Sequence, residues 1–250
     1  MMLDDVPPQL PLWSEDSAAQ AWAVRESRRA KRLAVRIFHT GRVEVVVPRR
    51  TSARAIEAFI AGHREWIETK LAQRRRRAKA AEAFPPPILE LSACAELWRV
   101  HLAGGRGALR ARAIAPGILS LAGDAGDIRA LQRALRSWLT ARARVVLVPA
   151  LAECARDLGY AYRRVAIRRQ RTRWGSCSAR GTISLNSCLL FQTPDVLRYL
   201  FVHELVHTRH MNHSRAFWQQ VLRHCPNYRR LDAQLLDGWL RVPSWVIGEA

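Results

Sequence analysis

Lysine is almost absent from this 250-residue chain, occurring only at Lys31, Lys70 and Lys79, so arginine supplies 38 of its 41 basic residues. Acids are few as well, and the formal net charge is +20. Such a surplus attracts polyanions. It also fits an arginine- and alanine-biased genome, and charge alone does not separate the two. Cysteine is sparse: Cys94, Cys154, Cys177, Cys188 and Cys225 are an odd number with no Cys-x-x-Cys pair. That argues against a disulfide framework and a cysteine-rich zinc module, and points to a reducing cytoplasm. No apolar run approaches the roughly 20 residues of a bilayer-spanning helix. The opening MMLDDVPPQLPLW carries acids and prolines where a secretory signal would be basic and then apolar. No internal repeat is evident. What remains is an ordinary soluble composition, long enough for one large domain or two smaller ones.

Periodicity sets the organisation. Residues 1–20 have no pattern and read as a flexible tail. Leu33, Val35 and Ile37 alternate, Thr40-Gly41 turns the chain, and Val43, Val45 and Val47 return, which predicts a β-hairpin. Thr51 or Ser52 can cap a following helix carrying Ile56, Phe59, Ile60, Trp66, Ile67 and Leu71. That helix runs into Arg74–Arg77 and then a Pro85-Pro86-Pro87 linker; residues 21–84 thus form an N-terminal hairpin and helix region. Short alternating segments over 88–125 predict a small antiparallel sheet. A helical stretch spans about 127–158, kinked or divided at Pro149. Strand candidates follow at Tyr162–Arg168 and Thr182–Leu185. Thr193-Pro194-Asp195 then opens a helix, VLRYLFVHELVH, apolar on nearly every side and therefore a core element.

The chemistry sits there. Five of the eight histidines (203, 207, 210, 213 and 224) fall in this late segment. His203-Glu204-Leu205-Val206-His207 places two imidazoles four residues apart, on one helix face and about 6 Å along it, where both can reach one ion. Glu204 projects beside that face and can take a proton from the attacking water. At these residue frequencies the pattern arises by chance only ~0.01 times per chain, so incidental histidines are a poor account. A catalytic zinc takes three protein ligands. His210 lies about 10 Å from His203 if the helix continues, beyond the reach of one ion. His213 becomes reachable if the helix ends near Met211-Asn212 and the chain turns back. The predicted metal ligands are therefore His203, His207 and His213, with Glu204 as general base.

RTRWGSCS (Arg171–Ser178), GTISLN (Gly181–Asn186), Pro194, Tyr199, HELVH (His203–His207) and NHSRAFW (Asn212–Trp218) together resemble the YgjP-like metallopeptidases, relatives of the SprT proteases. The segment RRAKRLAVRI through GRVEVVVP and HREWI resembles that family's N-terminal region. The resemblance implies the same third ligand, His213, and a zincin core with a sheet edge beside the active helix. Metzincins share the histidine spacing, but His210 replaces their glycine and no methionine follows Met211 for a Met-turn.

The fold class expected is α+β: an N-terminal hairpin and helix, a small antiparallel sheet, and a zincin-like metallopeptidase region over 126–245. The function expected is zinc-dependent hydrolysis of a protein or peptide, laid along an edge strand at Thr182–Asn186. Arg173, Asn186 and Tyr228 are candidate contacts to substrate or transition state. Cys177 as nucleophile and Trp174 as binding platform are weaker readings than a packed thiol and a core indole. A second class stays open: a nucleic-acid-binding protein with a structural zinc site, or a protease associated with nucleic acid. It rests on Arg74–Arg77 and on Arg163, Arg164, Arg168, Arg169, Arg171 and Arg173.

Overall fold

Valine at every second position from Val43 to Val47 builds the centre of the first sheet. The structure, a computed structural model, describes residues 22–28, 30–37, 43–79 and 83–247, with the backbone alone for residue 36 and residues 73–79. The tail expected over 1–20 and the Thr40-Gly41 turn lie outside the described residues. The chain forms two compact units that part at Ala81 and Glu82.

In the first unit, β1 (Ala23–Ser27), β2 (Ala34–Ile37) and β3 (Val43–Pro48) make a three-stranded sheet in the order β1-β3-β2. The predicted hairpin is β2 and β3, paired antiparallel. β1, unforeseen, adds to the other side of β3 in parallel. Helix α1 (Ala53–Lys79) lays Ile56, Ile60, Ile67 and Leu71 on the sheet, against Val43, Val45 and Val47. Ser52 is its cap, accepting from the Ala55 N–H at 3.3 Å, while Thr51 donates back to the Pro48 carbonyl. Trp66, expected on the packed face, points outward and is half exposed. The Arg74–Arg77 side chains lie outside the described residues.

The second unit opens with β4 (Ile88–Leu91), β5 (Glu96–Gly104), β6 (Arg110–Ala115) and β7 (Ile118–Ala122), in the order β4-β5-β7-β6. This sheet is mixed rather than antiparallel, because β5 and β7 run parallel with the β6 strand inserted between them in sequence. Helix α2 (Ile128–Leu158) is capped by the Asp127 carboxylate on Arg129 N–H and ends at Gly159 in the left-handed region. Pro149 does not divide it. Leu147 and Leu151, both wholly buried, hold the helix on either side of the lost hydrogen bond.

A second three-stranded sheet follows: β8 (Arg164–Arg168), β9 (Gly175–Cys177) and β10 (Thr182–Asn186), ordered β8-β10-β9. β10 is central, parallel to β8 and antiparallel to β9. It therefore has no free edge for a peptide, contrary to the expectation for Thr182–Asn186. The free edges among the described strands of this sheet belong to β8 and β9. Helices α3 (Pro194–Val206), α4 (Arg215–His224), α5 (Tyr228–Asp237) and the short α6 (Ser244–Ile247) complete the unit. One core cluster joins α2, α3, both sheets of this unit and α6, and nine of the thirteen α3 residues are buried.

Candidate metal centre

α3 is apolar on most sides and holds the Glu204 side chain in the core, while Asp195 and Arg198 stay exposed near its start. It ends at Val206, with His207 as its C-cap, several residues before the predicted stop near Met211. A tight turn follows, in which Arg209 and His210 N–H groups both bond the Val206 carbonyl. That turn brings His213 back over the helix end. Ser214 then caps α4, accepting from Phe217 N–H.

The result is a triangle of imidazole nitrogens. His203 Nε2 lies 3.2 Å from His207 Nε2 and 3.1 Å from His213 Nε2, and the last two are 3.2 Å apart. A tetrahedral zinc with bonds of 2.0–2.1 Å would ask for ligand nitrogens about 3.3–3.4 Å apart, so the triangle fits such an ion. His207 Nδ1 is 3.0 Å from the His210 carbonyl oxygen. A carbonyl only accepts, so Nδ1 carries the hydrogen and Nε2 turns its lone pair to the triangle. His210 thus contributes its backbone, not its ring. Burial and then the neighbouring His207 and His213 hold the His203 imidazole down to about 3, and burial lowers His207 as well. Both imidazoles are therefore neutral near pH 7.

Phe217, fully buried on α4, packs against all three rings with centroids 4.5–5.0 Å away. His213, the most exposed of them, is steadied by Trp218 stacked at 5.7 Å, and Trp218 in turn stacks on Tyr228. Tyr199, buried and T-shaped to the His203 ring with centroids 6.0 Å apart, donates to Asp232 on α5 at 2.7 Å.

Glu204 is 3% exposed, and its Oε2 has no hydrogen-bond partner among the described residues. Burial alone pushes its carboxyl up to about 8. Its other oxygen lies against β9, where a Cβ on Gly175 would sit 2.5 Å from Oε1. Only glycine leaves room there. The sequence marks Gly175 solely by its place inside Arg173-Trp174-Gly175-Ser176-Cys177, and no role is predicted for it. With Glu204 as the general base that the sequence predicts, Gly175→Ala should fold with the histidine triangle intact yet lose activity about tenfold or more, because the added methyl displaces the carboxylate. Zinc content and cleavage rate measured together check this; unchanged turnover would show that the contact is not critical.

The remaining candidates separate. Asn186 is wholly buried, and its amide donates to the Gln170 and Arg173 carbonyls while accepting from Cys188 N–H. It ties the loop before β9 to β10 and has no surface to offer a substrate. Arg173 is exposed, one residue ahead of Trp174. Trp174 is core, stacked on Trp239 at 4.1 Å. Tyr228 Oη accepts from Arg229 Nε at 3.2 Å. The Cys177 thiol is pushed up to about 11 by burial and then by the Glu204 charge, so it is not a ready nucleophile.

No curated protein matches the chain. Among solved structures, the crystal structure of the metallopeptidase zymogen of Pyrococcus abyssi abylysin matches at 24% identity and a TM-score of 0.34, over 37% of this chain and 93% of that one. The family described as YgjP-like, metallopeptidase domain, matches residues 31–237, a span that includes the hairpin, both further sheets and the histidine triangle. With most of its length so matched, the chain belongs to the YgjP-like metallopeptidase family.

Proposed function

We propose that the protein is a zinc-dependent peptidase in which His203, His207 and His213 hold the metal and Glu204 is the general base. The observation that carries this is the buried carboxylate of Glu204, next in the chain to His203, with one oxygen unpartnered among the described residues and the other backed by Gly175. A purely structural site closes the metal with four protein ligands and needs no such group. Bound zinc would supply Lewis acidity, lowering the pKa of water and polarising a carbonyl. Glu204 then accepts the water proton at a carboxylate oxygen and delivers it to the leaving amine nitrogen. It must be ionised to do so, and the opposite charge of a cation at the triangle offsets the burial that holds its carboxyl up.

The substrate strand lies on the free edge of β9, Gly175–Cys177, the strand that touches α3. Extended peptide pairs with such an edge through its backbone, leaving specificity to side-chain pockets. Arg173, just ahead of β9, and Tyr228, at the far end of the stack on His213, keep hydrogens for a substrate oxygen.

Purified protein should carry one zinc per chain. Chelation should abolish cleavage of an unfolded protein substrate, and zinc should restore it. Full activity in metal-stripped protein would exclude the proposal.

A further inference from the structure

Between Asp157 and Asp195 the chain holds seven arginines and no acidic residue. Most of that interval folds into the β8-β10-β9 sheet and its loops. Alternation along the strands sorts it into two faces. Val165, Ile167, Ile183 and Leu185 point into the core, on the side where Gly175 meets Glu204. The opposite face carries Arg164, Ala166 and Arg168 of β8, in register with Thr182, Ser184 and Asn186 of β10; Ser184 pairs with Ser176 of β9, and Asn186 is buried under the loop carrying Gln170 and Arg173. Arg163, Arg164, Arg168 and Arg180 are all exposed, and Arg163, Arg164 and Arg180 line one open depression with Thr182.

We infer that this outer sheet face binds the phosphodiester backbone of a nucleic acid without sequence preference. Arginine forks match phosphate oxygens, and the Thr182, Ser184 and Ser176 hydroxyls can add neutral donors. Four residues of strand set Arg164 and Arg168 about 13 Å apart, a span that covers several phosphates of one strand. The face has small side chains between its arginines and no exposed aromatic or amide group to stack or read a base, which makes it a reader of charge only. The sheet of β4 to β7 differs: its exposed side chains mix Arg99, Arg110 and Arg112 with Glu90, Ile88 and Leu97. Arg169 is not part of the surface array, because its guanidinium donates to the Val246 carbonyl at 3.0 Å. The basic face lies across the sheet from Glu204, so the inference stands independently of the peptidase reading.

The test is fluorescence anisotropy of the full chain with labelled mixed-sequence DNA, single-stranded and duplex, over a range of salt. Wild type should bind at about micromolar or tighter at low salt and weaken steeply as salt rises. At about 0.1 M salt, counterion release is worth roughly five- to eightfold per phosphate contact, so Arg164→Ser with Arg168→Ser should weaken binding by about 25- to 60-fold. The matched pair Arg110→Ser with Arg112→Ser removes the same charge from the other sheet and should change affinity by less than about threefold. Circular dichroism and the thermal unfolding temperature should stay at the wild-type level in both variants, which shows that they fold. Absence of binding at low salt, an equal loss in the matched pair, or polyglutamate bound as tightly as DNA would each overturn the inference; the last would assign the face to an acidic polypeptide.

Discussion

Glu204→Gln should leave a folded, zinc-loaded protein whose peptide-bond cleavage has fallen by about 10² to 10⁴. The amide keeps the shape of the carboxylate, so it still fits against Gly175, where the space beside Oε1 is already full. It loses the capacity to accept a proton. Folding should not suffer, since the substitution removes an ionisable group that burial already disfavours in its charged form. Metal analysis, circular dichroism and a cleavage assay on the same preparation separate the outcomes. A zinc-loaded, folded variant that cleaves at the wild-type rate rules out Glu204 as the base. One that has lost its zinc shows instead that the carboxylate supports the metal.

What the sequence discloses divides by the range of the interaction. The antiparallel β2–β3 pair and α3 are legible because their signals are local: alternating valines after a Thr40-Gly41 turn signal in the sequence, and a Thr-Pro-Asp start to an apolar run. The candidate ligands are legible for the same reason, since His203 and His207 share a helix face and His213 needs only a turn. Strand order is not. Whether Thr182–Asn186 is an edge or a centre depends on β9, which has three residues, too few to show a period, and whose partner is chosen by tertiary pairing. The parallel β5–β7 pairing and β1 escape notice because neither involves adjacent hairpin strands. Asn186 misleads because its sequence context cannot reveal that its amide is spent on the Gln170 and Arg173 carbonyls. Gly175 stays silent because a glycine's meaning here is set by a carboxylate 29 positions away in the chain, which only the fold brings near.

His213→Ala should empty the metal site, while His210→Ala should leave it filled. The two residues are three apart, both follow the end of α3, and both are histidines, so the pair is a sharp comparison. His213 Nε2 closes the triangle with His203 and His207, and its removal leaves two imidazoles where a zinc site of this kind needs three. Loss of a supporting contact alone typically costs 10- to 100-fold in metal affinity, and loss of a ligand should cost at least that. His210 serves through its carbonyl, which holds His207 Nδ1, and alanine retains that oxygen. Zinc retained after dialysis, and competition with a chromophoric chelator, give the two affinities. Thermal unfolding supplies a second readout, because a ligand that binds only the folded state raises its stability. Added zinc should therefore raise the melting temperature of wild type and His210→Ala but not of His213→Ala. If His210→Ala empties the site and His213→Ala keeps it, the ligand set is wrong, and the turn after Val206 would have to present the His210 ring in place of its backbone.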